Sequence, residues 1–234
     1  MIGLAICFDS PFPGATRARC GARLTKLDKR VQALAVCLSG VAGYVDAVGF
    51  LHSGGFFVSF MSGNSTRLAV GVAHWTTAAG MAGGLILSFV VGVTLGSLCG
   101  SIDERHRRSI VLALVAALLA GAAMAGTAGS TVFSLALTAL AMGAENAAFE
   151  QPGGGSIGLT YMTGTLAKIG QGIAAMLRGT GGLEWLSYVA LWAGLVAGAI
   201  LGAAVYAHIA MAALWAAAGA SAILALVARR LRVG

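Results

Sequence analysis

The sequence predicts an all-α polytopic membrane protein built from two homologous halves. Three observations carry that reading. Of 234 residues, 58% are hydrophobic and only 10% are charged, whereas a soluble domain carries about 25% charged residues. Mean hydropathy is +0.88, and apolar runs near the length that crosses a bilayer core of about 30 Å recur down the chain. A polar pattern also returns after about a hundred residues: "FMSGNSTRLAVGVA" at 60–73 and "YMTGTLAKIGQGIA" at 161–174. Helices are the expected element, because backbone in lipid must satisfy its own hydrogen bonds. The runs are too long and too uniformly apolar for the alternating strands of a membrane barrel.

Residues 1–30 form a basic tail containing Pro and Gly. Residues 2–8 are apolar but too few for a signal-peptide core, and the basic cluster follows them instead of preceding them, so no signal peptide is expected. Apolar segments follow at 31–51, 56–75, 80–100, 110–127, 131–150, 157–177, 186–206 and 208–228. Gly92, Gly96 and Gly100 fall four apart, as do Gly194, Gly198 and Gly202. Such rows let helix backbones approach closely. They are read here as packing and not as function.

The repeat divides the membrane region into 31–127 and 131–230. Gly43 and Asp46 fall on Gly143 and Asn146; Met61, Ser62, Gly63, Arg67 and Gly71 fall on Met162, Thr163, Gly164, Lys168 and Gly172. Gly92 and Gly96 fall on Gly198 and Gly202. Apolar runs alone could match the glycines. They would not match Met, a hydroxyl residue, Gly and a cation in that order.

Each half then holds four apolar segments, the second of them polar. If all four cross, the halves run parallel. If the second dips in and returns, each half crosses three times and the second half is inverted. Basic residues collect on cytoplasmic flanks. They lie in the tail (Arg17, Arg19, Arg23, Lys26, Lys29, Arg30), in "DERHRR" at 103–108, at Arg178, and at Arg229, Arg230 and Arg232. With the tail inside, only the inverted scheme puts every cluster inside. Asp103 and Glu104 offset part of one cluster, and 56–75 and 157–177 are long enough to cross. The inverted scheme, with one re-entrant or broken helix in each half, is the favoured expectation. It places both termini in the cytoplasm.

Five charged side chains lie in the apolar body: Asp46, Arg67, Glu145, Glu150 and Lys168. Glu150 stands close to a segment end, at the interface. A charge at a helix centre costs roughly 2.5–3.5 kcal/mol on insertion scales, so such groups pair, face the protein interior or line a wet cavity. Ser62 and Thr163 have N-cap chemistry, and Gly63 and Gly164 permit a bend. Two half-helices starting near the midplane would then point their N-termini at one another, where partial positive charge attracts anions. On this reading Ser62, Asn64, Arg67, Thr163, Thr165 and Lys168 line a site for a small solute, with a mild preference for an anion. Asp46, Glu145 and Asn146 are its charge partners, and the carboxylates are candidates for proton coupling. The competing reading has Arg67 paired with Asp46 and Lys168 with Glu145, the polar residues acting as interhelical glue in a structural or assembly protein.

Other classes find less support. Cys7, Cys20, Cys37 and Cys99 form no CxxC pair, and the four histidines fall at segment ends or in loops without metal-ligand spacing. No nucleophile elbow or HExxH occurs, and the Gly-rich turns lack a P-loop lysine. No metal, cofactor or enzymatic activity is expected. The net charge of +7 is distributed for a membrane and does not call for nucleic acid. The expected partners are the lipid bilayer and a small molecule or ion; the oligomeric state is left open.

"GYVDA" at 43–47, followed by Phe57 and "MSGN" at 61–64, resembles the YoaK-like family of bacterial inner-membrane proteins, a domain of unknown function. The resemblance covers about 31–230. Ser62 stands where the family pattern more often has Thr, and "GAENA" at 143–147 resembles the family's Gly-x-Gln-Asn-Ala with Glu145 in place of Gln. The resemblance implies a polytopic protein of the bacterial inner membrane and brings no substrate with it.

Overall fold

A computed structural model describes residues 29–149 and 161–230. Within them the chain forms α1 (Lys29–Ser53), α2 (Met61–Ala73), α3 (Ala78–Ile102), α4 (Arg107–Thr127), α5 (Thr131–Asn146), α6 (Met162–Leu177), α7 (Leu186–Ile209) and α8 (Leu214–Arg230). No strand occurs among the described residues. Lys29 and Arg30 open α1 instead of closing the tail. Residues 1–28, 150–160 and 231–234, Glu150 and Arg232 included, lie outside the described residues.

Five runs are long and apolar enough to cross a membrane: Lys29–Ser53, Ala78–Ile102, Arg107–Thr127, Thr131–Phe149 and Leu183–Arg230. The last is 48 residues long and is broken at Ala210, whose φ of 46° separates α7 from α8. The run expected at 56–75 is helical only from Met61, and α2 has 13 residues, α6 16. At 1.5 Å per residue these reach about 20 and 24 Å, less than a hydrocarbon core of about 30 Å.

The glycine rows decide which helices meet. Packing in lipid depends on close van der Waals fit, since lipid tails are as apolar as leucine. Gly198 lies against the carbonyl of Gly40, Gly202 against that of Tyr44, and Gly43 against that of Leu195, which binds α1 to α7. Gly92 lies against the carbonyl of Leu140, Gly96 against Ala144, and Gly143 against the carbonyl of Phe89, which binds α3 to α5. A Cβ at any of these six positions would collide with backbone. Ser39 adds a hydrogen bond to the Leu191 carbonyl at 3.0 Å, of a kind worth about 0.6 kcal/mol inside a membrane. The first half thus packs its first helix on the second half's third, and the second half does the reverse. α4 packs on α5 and α8, α2 leans on α3, and α6 leans on α7. Leu112, Leu119, Leu135, Met142 and Leu214 fill the interior between them.

Between α3 and α4 the "DERHRR" turn is organised by Asp103. Its carboxylate accepts from the backbone N–H groups of Arg105 (2.9 Å) and His106 (3.3 Å) and bonds the His106 ring at 2.8 Å. The His106 ring holds the Asp103 carboxyl below its usual range. The turn is exposed, so this sets local geometry more than stability.

Candidate functional site

The first polar segment is fixed by three latches. After α1 the chain turns at Gly54 (φ 71°) and Gly55 (φ 113°), a left-handed region that glycine enters without a Cβ penalty. Ser53 bonds the N–H of Phe56 at 2.9 Å and donates to its carbonyl at 3.0 Å. Asp46 Oδ1 then accepts from the N–H groups of Val58 at 2.8 Å and Ser59 at 2.9 Å. Asp46 stands seven residues before the end of α1, so the irregular stretch 54–60 folds back about 10 Å along that helix. Finally Asn64, wholly buried at 0% exposure, holds the Phe57 backbone at both groups. Its Nδ2 donates to the carbonyl at 2.6 Å, and its Oδ1 accepts from the N–H at 3.0 Å. Asn64→Ala leaves the part-buried N–H and C=O of Phe57 without their side-chain partner, at up to about 1–3 kcal/mol each. The expected result is a drop in melting temperature that a thermal unfolding scan in detergent detects, with Asn64→Asp in between because it keeps the acceptor.

The helix starts correct the expected capping. Ser62 and Thr163 are not N-caps: each is the second residue of its helix and is exposed. Phe60 and Tyr161 occupy the N-cap positions and make no side-chain cap bond. Their rings lie over Gly63 and Gly164, where a Cβ would meet the ring. Those glycines therefore admit an aromatic ring and do not make a bend. The sequence carried this signal as "F-x-x-G" at 60–63 and "Y-x-x-G" at 161–164. Beside it stand the hydroxyls of Ser62 and Thr163, whose chemistry suits a cap equally well.

The cations do not pair as the glue reading requires. His106 pairs with Asp103 in the turn after α3, but Arg67 forms no ion pair with Asp46, nor Lys168 with Glu145, among the described residues. The Arg67 guanidinium lies 4.9 Å from the centre of the Phe56 ring, and Lys168 Nζ lies 4.9 Å from the centre of the Tyr188 ring. Cations over aromatic faces are stabilised by about 0.5–2 kcal/mol, more as water is excluded. Glu145 is fully buried, and neither of its oxygens has a hydrogen-bond partner among the described residues. Asn146 donates to the Met142 carbonyl at 2.9 Å. Thr165 is buried with its hydroxyl on the Tyr161 carbonyl at 3.3 Å. Ser65 and Thr66 likewise bond back to Met61 and Ser62 within α2.

The predicted residues therefore do not gather at one place: Asp46 lies against the first polar segment, and Glu145 and Asn146 lie on α5 apart from α6. α2 lies on α3 and α6 on α7, and among the described residues α2 and α6 do not pack along one another. Beside Asp46 an open groove of about 300 Å³ runs between α1 and α7, its other walls being Gly43, Phe50, Phe57, Leu195 and Ala199 among others. Asp46 is the charged residue on that lining.

A bundle of crossing-length apolar helices, joined through glycine rows and interrupted by short polar helices, defines a multi-pass helical membrane protein. Residues 34–227 match the family model described as "Protein of unknown function (DUF1275)". The chain belongs to that family, of which the YoaK-like proteins are members. It is 39% identical over 183 residues to "UPF0700 transmembrane protein RA0705" of Rhizobium meliloti (strain 1021), covering 78% of this chain and 79% of that one. No solved structure matches it.

Proposed function

We propose that the protein moves a small solute, with an anion favoured, across the bacterial inner membrane, and that it is not an enzyme. The observation that carries this is the state of Arg67 and Lys168. Both sit on short polar helices, and neither is neutralised by a carboxylate among the described residues. A cation kept unpaired at such a position is costly and is a functional candidate by default. Asp46, beside the groove, is the favoured coupling carboxylate.

The packing supports two repeated halves, and the basic clusters favour the inverted arrangement of them. The glycine contacts exchange between halves in matched pairs: Gly198 on Gly40 with Gly92 on Leu140, and Gly43 on Leu195 with Gly143 on Phe89. Re-entry is supported by the depth at which Asp46 holds Val58 and Ser59, and by Arg67, which reaches back to Phe56 near the start of the same stretch. Six crossings and two half-helices then put every basic cluster in the cytoplasm. Asn64 and Thr165, whose bonds stay within their own segments, are scaffold on this reading. Their bonding shapes each segment locally and joins no two long helices.

Uptake by proteoliposomes loaded with a panel of small anions tests the proposal. Arg67→Gln and Lys168→Gln should each lower the rate about tenfold or more while the yield of monodisperse protein stays near the parent's. Lost yield with an unchanged rate per folded molecule would establish the glue reading instead. Topology is checked separately by single cysteines near Thr76 and Gly181 in a background without native cysteines. The inverted scheme requires them to label from opposite sides.

A further inference from the structure

A second groove, of about 580 Å³, lies between α1, α7 and α8. Val36, Cys37, Tyr44, Leu201, Ala220 and Ile223 are among its lining residues, and the lining is almost wholly apolar. Cys37, Leu201 and Ile223 are exposed at its rim. The corresponding place in the other half, between α5 and α4, is shut: those helices pack extensively, and Ser134 donates to the Ala122 carbonyl at 2.6 Å. α8 touches α1 much more sparsely. The groove is thus a local departure from an otherwise repeated packing.

Charge identifies the occupant. Tyr44 donates to the Ala213 carbonyl, just before α8, at 3.0 Å, and the groove runs from there to Val36 on α1 and Leu224 on α8, so the two helices run antiparallel and the helical rise brings Val36 and Cys37 level with Ala220. Continuing in the same register, Lys29 and Arg30 on α1 come level with the last turn of α8, which carries Arg229 and Arg230. All four cations are exposed. They stand about 8–10 Å beyond the end of the groove, by the rise of an α-helix. An apolar slot open to the bilayer with a cationic rim at one end matches a lipid with an acyl chain and an anionic phosphate headgroup. The opposite end, near Tyr44 and Ala213, offers no cation of α1 or α8. We infer that this groove is a binding site for an anionic phospholipid, its chain against Cys37 and Ala220 and its headgroup at Lys29, Arg229 and Arg230.

Cys37 supplies the readout. In the full-length protein with Cys7, Cys20 and Cys99 replaced by serine, alkylation of Cys37 by a membrane-permeant maleimide is followed in detergent with added phosphatidylglycerol or phosphatidylcholine of identical chains. Phosphatidylglycerol should slow the reaction at a lower mole fraction, by about fivefold for each cation at the rim. Replacing Lys29, Arg229 and Arg230 with Gln should bring its half-protecting fraction to that of phosphatidylcholine and leave the latter unchanged. Equal protection of the parent by both lipids would overturn headgroup recognition. No protection by either would overturn the site, and protection that grows with protein concentration instead would mean that a second copy covers the groove. Native mass spectrometry gives an independent measure: co-purified phosphatidylglycerol should be lost in Ala220→Phe, which fills the slot, and its retention there would count against the assignment.

Discussion

Gly198→Leu should abolish recovery of folded protein. The glycine sits on the backbone carbonyl of Gly40, so the new side chain meets a group that cannot rotate away. The helices must separate, and separating α1 from α7 also strips Gly202 from Tyr44 and Gly43 from Leu195. Overpacking alone costs about 1–3 kcal/mol, occasionally more, and here the lost van der Waals fit along the whole seam adds to it. Gly84→Leu is the control. It lies in α3 with nothing within 4 Å of an added Cβ, and its effect should stay within about 1 kcal/mol. Size-exclusion profiles after detergent extraction, followed by thermal unfolding of whatever remains, distinguish the two. Comparable behaviour of the two variants would mean that the α1–α7 seam does not hold the bundle together.

Asp46 should separate a structural role from a functional one. Its Oδ1 accepts from two backbone N–H groups, and hydrogen bonds to a charged group are worth about 1.5–3 kcal/mol each. Asp46→Ala releases both and frees the stretch 54–60 from α1, so low yield and early melting are expected. Asp46→Asn keeps an oxygen in the same place and should fold. If the carboxylate couples transport to protons, Asp46→Asn loses uptake driven by a pH gradient but keeps exchange of solute at equal pH. Gradient-driven uptake at the parent's rate in a folded Asp46→Asn protein would remove Asp46 from the coupling mechanism and leave it as a latch.

Much of the fold was legible because lipid narrows the choices. Apolar run length placed the long helices closely, with α3 found at Ala78–Ile102 against an expected 80–100, while α2, α6 and α8 start five or six residues later than expected. The glycine rows at 92, 96 and 100 and at 194, 198 and 202 announced close contacts, but a row does not name its partner. That α7 seats on α1 and α3 on α5 is a property of the assembled bundle, written in shape and not in spacing. The start of α2 is not legible, because "SGNST" offers caps while Phe60, an apolar residue in an apolar chain, gives no hint that its ring will cover Gly63. Of the site, the unusual residues were identifiable by composition alone. The use of Asn64 was not, since an amide bonding the Phe57 backbone and an amide facing a solute look alike in sequence. The groove beside Asp46 was equally hidden, because its walls come from α1, α7 and the stretch between α1 and α2.

The seam between α1 and α7 also sets a timetable for biosynthesis. Ser39 and the carbonyl it bonds are 152 residues apart in the chain. At about 5–20 residues per second, roughly 8–30 s pass between synthesis of one side of that seam and the other. Through that interval the ribosome-bound N-terminal half holds an unmatched notched surface at Gly40 and Gly43. Cutting the gene at the Gly129 turn should therefore give two fragments that are each short-lived when made alone and that protect one another when made together.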